Sequence, residues 1–95
     1  MAELFWTADA AEDRKRIRAY IATENLDAAK ELDLRFSEIT ERLRRFPFLG
    51  RLGRVPGTRE LVPHKHYKIV YQVSGDIVII LTILHTAQQW PPLQD

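Results

Sequence analysis

Three histidines fall in the last third of the chain, at His64, His66 and His85, and a run of basic residues precedes them. Between Arg42 and Lys68 stand Arg42, Arg44, Arg45, Arg51, Arg54, Arg59, Lys65 and Lys68, with Glu60 as the only carboxylate. An imidazole changes charge near neutral pH and can give or take a proton. Guanidinium forks and ammonium groups bind phosphate or carboxylate. A basic middle on a chain whose net charge is only +1 therefore predicts an anionic partner, either nucleic acid or an acidic protein segment. Each group also has a plainer reading: solubility charges for the arginines, a solvated strand entry for His64 and His66, tail packing for Gln88, Gln89 and Trp90.

Other chemistries find little support. The histidines lack HExxH-type spacing and the chain has no cysteine, so neither a metal centre nor a cofactor is expected. No Ser-His-Asp or Cys-His arrangement suggests itself. The glycines of Phe48–Thr58 fit neither GxxxxGK[ST] nor GxGxxG, and so do not form a phosphate-binding loop. They space out Arg51 and Arg54 instead, which reads as a basic, mobile flap.

Which side chains can act together depends on the elements that carry them. Glu3 to Trp6 is a short apolar run that suits a first strand. Thr7 can cap a helix with Asp9 in its first turn, and Ala10, Ile17, Tyr20 and Ile21 fall on one face of it, ending near Glu24-Asn25. Asn25 or Asp27 can cap a second helix. Its apolar positions Ala29, Leu32, Phe36, Ile39, Leu43 and Phe46 step by three and four, the spacing of a core-facing stripe, and Pro47 stops it. Two helices joined by so short a turn form an antiparallel αα-hairpin. Arg59 to Val62 reads as a short strand ended by Pro63. Tyr67–Val73 and Asp76–His85 read as a hairpin around a two-residue turn at Ser74-Gly75.

That turn pairs Val73 with Asp76, Tyr71 with Val78 and Lys68 with Leu81. Side chains alternate along a strand and paired residues share a face. One face then carries Tyr67, Ile69, Tyr71 and Val73 with Val78, Ile80, Thr82 and Leu84, and should receive the helices. The other carries Lys68, Val70 and Gln72 with Ile77, Ile79, Leu81, Ile83 and His85, and extension of the strands would bring His64 opposite His85. Lys68 and His85 are thus predicted to work on one face, provided the register holds.

At 95 residues the chain suits a single domain over 1–95, with 92–95 as a flexible tail. An apolar fraction of 45% and a charged fraction of 28% argue against disorder. No signal-like start or membrane-length apolar run is present, which predicts a cytoplasmic protein with no membrane partner.

The order of strand, helical hairpin, basic glycine-containing loop and terminal three-strand meander resembles the RelE/ParE toxins of bacterial type II toxin-antitoxin modules. FPFLGRLGRVPGTREL, YKIVYQV and VIILTILHTAQQWP carry the resemblance, with WTADAAEDRKRIRAYIA at the start; it covers nearly the whole chain. It implies an α+β fold of microbial-ribonuclease-like type, an N-terminal αα-hairpin packed on one face of a small, mostly antiparallel twisted sheet of about four strands. It also implies a growth-inhibiting toxin held inactive by a cognate antitoxin that is acidic where it crosses the basic groove. The RelE-like branch cleaves messenger RNA in the ribosome, whereas the ParE-like branch poisons DNA gyrase without cleaving anything itself.

Carried over by position, Lys68 stands where RNA-cleaving members often have an arginine on the third strand. His85 stands where some place a catalytic histidine. Arg51, Arg54 and Arg59, counted together with Lys65 and Gln88, would bind RNA or phosphate. Thr86 departs from the tyrosine of RNA-cleaving relatives, and no carboxylate other than Glu60 lies near the site. The sequence leans towards ribosome-dependent messenger cleavage, with Lys68 and the arginines on phosphate and His85 as general acid or base. The alternatives are gyrase poisoning and a non-toxic nucleic-acid-binding module.

Overall fold

The computed structural model describes residues 1–91; the tail assigned to 92–95 lies outside them. The elements run β1 (Glu3–Trp6), α1 (Ala8–Ala22), α2 (Leu26–Arg42), β2 (Arg51–Leu52), β3 (Thr58–His64), β4 (Tyr67–Ser74) and β5 (Ile77–His85). The strands form one sheet in the order β1-β5-β4-β3-β2. β1 runs parallel to β5 and every other pair is antiparallel. The fold is α+β as expected, with five strands in the sheet because β2 pairs within the segment read as a loop. No helix among the described residues is long and apolar enough to cross a membrane.

The helices begin where their caps place them. Thr7 Oγ1 accepts from Ala10 N at 3.0 Å, and Asn25 Oδ1 accepts from Ala28 N at 3.0 Å, which satisfies amide donors that a helix start leaves free. Ala10 and Ile17 of α1 and Leu32 and Phe36 of α2 join Leu43, Ile69, Tyr71, Val78, Ile80 and Ile83 in the core. Ile21 and Ile39 pack against this core partly buried, whereas Tyr20 at 73% exposed and Phe46 at 52% exposed stay out of it. α2 ends at Arg42, five residues before Pro47. Its last turn tightens through Leu43 N→Thr40 O and Arg44 N→Glu41 O, which turns Phe46 off the stripe. Between the helices, Arg14 donates to Asp33 Oδ1 at 2.7 Å and to Ser37 Oγ at 2.5 Å.

The hairpin register differs from the expected one in two ways. Ser74 pairs with Ile77, so the turn residues are Gly75 and Asp76, with Gly75 at φ 57°. A positive φ at the first central position suits glycine, which has no Cβ to clash. Farther along, Tyr71 pairs with Ile80 but Val70 pairs with Thr82, leaving Leu81 as an extra residue in β5. Such a bulge reverses the alternation beyond it. Ile83 therefore enters the core at 2% exposed, while Thr82 and Leu84, predicted for the core face, turn to the other side.

α1 holds the bulge in place. β1 covers the edge of β5 only from Ile77 to Ile80. Beyond that, Thr7 N donates to Ile80 O at 3.0 Å and Thr7 Oγ1 to Leu81 O at 3.1 Å. Asp13 Oδ2 accepts from Thr82 Oγ1 at 2.7 Å and from Ile83 N at 3.2 Å. The start of α1 thus replaces the missing strand as a hydrogen-bond partner. β3 also departs from regular pairing: its register shifts between Leu61 and His64, and the strand continues past Pro63 rather than ending there. Proline has no N–H to give the ladder and is tolerated at such irregularities. Arg35 Nε donates to the Pro63 carbonyl.

Asp13→Ala should strip the partners from Thr82 and Ile83 and cost about 1–3 kcal/mol. Urea unfolding followed by circular dichroism measures the loss, and an unchanged midpoint would refute this role for Asp13.

Candidate functional site

The register decides where the predicted site residues go. Lys68 pairs with Leu84, whereas Tyr67 pairs with His85 on one side and with His64 on the other. Tyr67 meets Phe36 of α2 edge-on, with ring centroids 6.5 Å apart. His64, Tyr67 and His85 therefore form a row on the helix side of the sheet, and Lys68 points to the opposite face. The predicted pairing of Lys68 with His85 on one face does not form, because the Leu81 bulge moves His85 across the sheet. The stem of Lys68 is covered, while its ammonium keeps solvent access.

What forms instead is a histidine cluster at the end of the sheet. The ring centroid of His66 lies 5.5 Å from that of His64 and 5.6 Å from that of His85. His64 Nδ1 accepts from His66 N, and His85 Nδ1 accepts from Ala87 N, both at 3.1 Å. These bonds leave the proton of each neutral ring on Nε2. Both rings then present a donor outward instead of a metal-ligating lone pair. Among the described residues no group of three His, Asp or Glu is placed to hold a metal ion. Burial, followed by the charges of His66, Lys65 and Arg35, holds the His64 pKa below the usual 6.5.

The arginines of the loop are engaged within the molecule. Arg51 pairs with Glu60 at 3.3 Å across the β2–β3 ladder. Arg54 donates to Gln89 Oε1 at 2.7 Å. Arg59 donates to the carbonyl of Gly50 at 2.8 Å and lies 4.9 Å above the Phe48 ring. Gln88 closes the end of β5, accepting from His85 N at 2.9 Å. The Lys65 carbonyl accepts from Thr86 Oγ1 at 3.0 Å, and no partner for the Lys65 ammonium occurs among the described residues. The segment read as a mobile flap is instead pinned. Gly50 N donates to the buried Tyr71 hydroxyl at 2.8 Å, and that hydroxyl donates to the Pro47 carbonyl at 2.8 Å. A Cβ on Gly50 would come within 2.6 Å of the Glu60 carbonyl, so only glycine fits there.

Asp13 escaped the sequence reading, and Gln89, read there as tail packing, takes a specific partner. Asp13 lines a cleft with Thr82, Leu84, Gln88, Gln89 and Trp90, and Gln89 ties the C-terminal segment to Arg54. Their partners lie 69 and 35 residues away, and no local pattern signals either contact. Phosphodiester cleavage requires a proton-transfer group and a charge stabiliser around one phosphate. Here the imidazoles, Lys68 and the arginines occupy different faces or already hold partners.

Because the folded-state pKa of His64 is lowered, the unfolded chain binds more protons just below pH 6.5. Stability should therefore be greater above pH 6.5 and fall as the pH drops from there toward the folded-state midpoint. An NMR titration of the His64 ring should give a midpoint below 6.5; one at or above it would contradict this account.

The family described as "ParE toxin of type II toxin-antitoxin system, parDE" matches residues 4–90. The chain is 40% identical over 87 residues to Y4kP of Sinorhizobium fredii, covering 90% of each protein. It is 36% identical over 88 residues to toxin RelE2 of Caulobacter vibrioides, covering 93% of this chain and 99% of that one. Among solved structures, the chromosomal ParDE system of P. aeruginosa contains a chain with a TM-score of 0.78 and 26% identity, the match covering 90% of this chain and 96% of that one. With a family match that spans nearly its whole length, the chain belongs to the ParE toxin family and is the toxin of a type II toxin-antitoxin module.

Proposed function

We propose that this toxin arrests growth by binding and poisoning DNA gyrase, without cleaving RNA, and is held inactive by a cognate antitoxin. The observation that carries this reading is the β4–β5 register. It sends Lys68 and His85 to opposite faces, so the pair expected to attack one phosphodiester cannot close on it together. The occupied guanidiniums of Arg51, Arg54 and Arg59 support the same reading. So does the likeness to ParE proteins, the branch whose toxins act on gyrase.

Ribosome-dependent messenger cleavage, the mechanism favoured by the sequence, has one observation in its support. His64, His66 and His85 gather with Tyr67 at one end of the sheet, and imidazoles can transfer protons there. In this second reading His85 works with its neighbouring imidazoles, and Lys68 takes no part.

The two readings separate on induction in cells. Gyrase poisoning predicts that His85→Ala and Lys68→Ala both remain toxic within about threefold, since neither touches a reacting atom. Cleaved DNA should accumulate on gyrase and primer extension should find intact transcripts. Loss of toxicity in His85→Ala, together with cuts inside reading frames for the unaltered toxin, would sink the gyrase reading.

A further inference from the structure

Ten arginines punctuate the chain, and the structure gives most of them a partner. Arg14, Arg16, Arg18, Arg44 and Arg51 pair with carboxylates. Arg35, Arg54 and Arg59 donate to carbonyl or amide oxygens. Arg42 and Arg45 alone have neither an ion pair nor a side-chain hydrogen bond among the described residues. Arg42 is the last residue of α2 and Arg45 lies three residues beyond it, and they line one groove with Phe46, Pro47, Phe48 and Leu49. No carboxylate lines that groove; Glu38 and Glu41 border the adjoining one, and Glu41 is committed to Arg44 at 3.0 Å.

The helix dipole accounts for part of this arrangement. A cation in the last turn is favourable, and Arg42 occupies that place. It does not account for Arg45 beyond the helix, nor for the exposed apolar side chains that line the groove with the two arginines. Phe46 is 52% exposed and Phe48 is 66% exposed. Exposed aromatics beside free arginines have the composition of the residues that dominate protein–protein binding energy. The surface is also fixed in advance. Phe46 N bonds Arg42 O at 2.9 Å, Leu49 N bonds Phe46 O at 3.1 Å, and Tyr71 holds the carbonyl of Pro47 and the amide of Gly50 from below. A preorganised surface loses little entropy on binding.

The edge strands offer a partner only short ladders, four residues in β1 and two in β2. Arg44 occupies both backbone groups of Ala2, the residue before β1: Ala2 N donates to the Arg44 carbonyl at 2.8 Å and Ala2 O accepts from Arg44 Nε at 3.0 Å. β2 at the other edge is two residues long. A partner therefore meets this end of the molecule through side chains.

Resting on the gyrase reading above, we infer that the groove of Arg42, Arg45, Phe46, Phe48 and Leu49 is the surface by which the toxin grips its target. A toxin without catalysis acts wholly through such a surface; the loop arginines are engaged internally, Lys65 lies at the histidine end, and the Lys68 ammonium opens alone on the far face of the sheet, whereas Arg42 and Arg45 stand beside exposed aromatic side chains. The complementary partner segment carries carboxylates for the two guanidiniums and an apolar anchor that fills the groove they share with Phe46 and Phe48.

The test uses the full-length toxin in a gyrase supercoiling assay, with calorimetric binding to its cognate antitoxin as a second readout. Arg42→Glu/Arg45→Glu and Phe48→Ser alter exposed side chains and should leave the thermal midpoint within a few degrees. Inhibition should weaken by about 10- to 100-fold, while antitoxin affinity stays within about threefold. Undiminished inhibition by both variants overturns the assignment and leaves the gyrase reading standing. Parallel loss of antitoxin binding in a normally folded variant overturns it too, by giving the groove to the antitoxin. If the unaltered toxin fails to inhibit gyrase, the reading beneath it falls instead.

Discussion

The extra residue in β5 is the constraint on which the rest of this molecule depends. β1 is only four residues long and leaves the second half of β5 without a neighbouring strand. The chain turns there into α1, whose cap residue Thr7 and whose Asp13 take over the free backbone groups around Leu81. A regular strand would have turned Thr82 and Leu84 toward the helices. With the bulge, Ile83 goes in and the threonine hydroxyl meets a carboxylate. Burying an isoleucine side chain is worth on the order of 1.5–3 kcal/mol, and an unpaired buried hydroxyl would have cost about as much. The bulge therefore resolves a packing problem and an edge problem together.

Its second consequence concerns chemistry. The same half-turn that brings Ile83 inward carries His85 to the helix side, beside Tyr67 and His66, and leaves Lys68 on the far face. Two residues that alternation alone would have placed together are separated by the thickness of the sheet. The histidines are thus gathered at one end of the sheet, and the arginines without a partner among the described residues lie at the other.

The segment between α2 and β3 shows how a basic loop can be structural. Arg59 reaches back to the Gly50 carbonyl, Arg51 meets Glu60 across a two-residue strand, and the buried hydroxyl of Tyr71 bonds two backbone groups. Burial pushes the Tyr71 phenol above its usual pKa of 10.0, so it stays protonated and keeps donating to Pro47. A positive count along a sequence does not distinguish charges that hold a loop from charges that await a partner. Only Arg42 and Arg45 belong to the second kind among the arginines of the described residues.

Local rules made much of this protein legible in its sequence. The caps at Thr7 and Asn25, the three-and-four spacing of Ala29, Leu32, Phe36 and Leu43, and the alternation of Tyr67 to Val73 depend on neighbours within a few residues, and they specify two helices and the central strand. The family resemblance rested on the order of those elements, and the family match agrees with it. What the tertiary structure decided was everything that needed a distant partner. The bulge at Leu81 depends on Thr7 and Asp13 some 70 residues away. The exposure of Phe46 depends on where α2 tightens before Pro47, and the loop arginines are engaged by Glu60, Gln89 and the Gly50 carbonyl. Alternation is a local property, but register and face are settled by pairing across strands. The sequence by itself therefore determined the two helices, the central strand and the family, and the packing of distant segments determined the rest of the sheet and which side chains could ever meet.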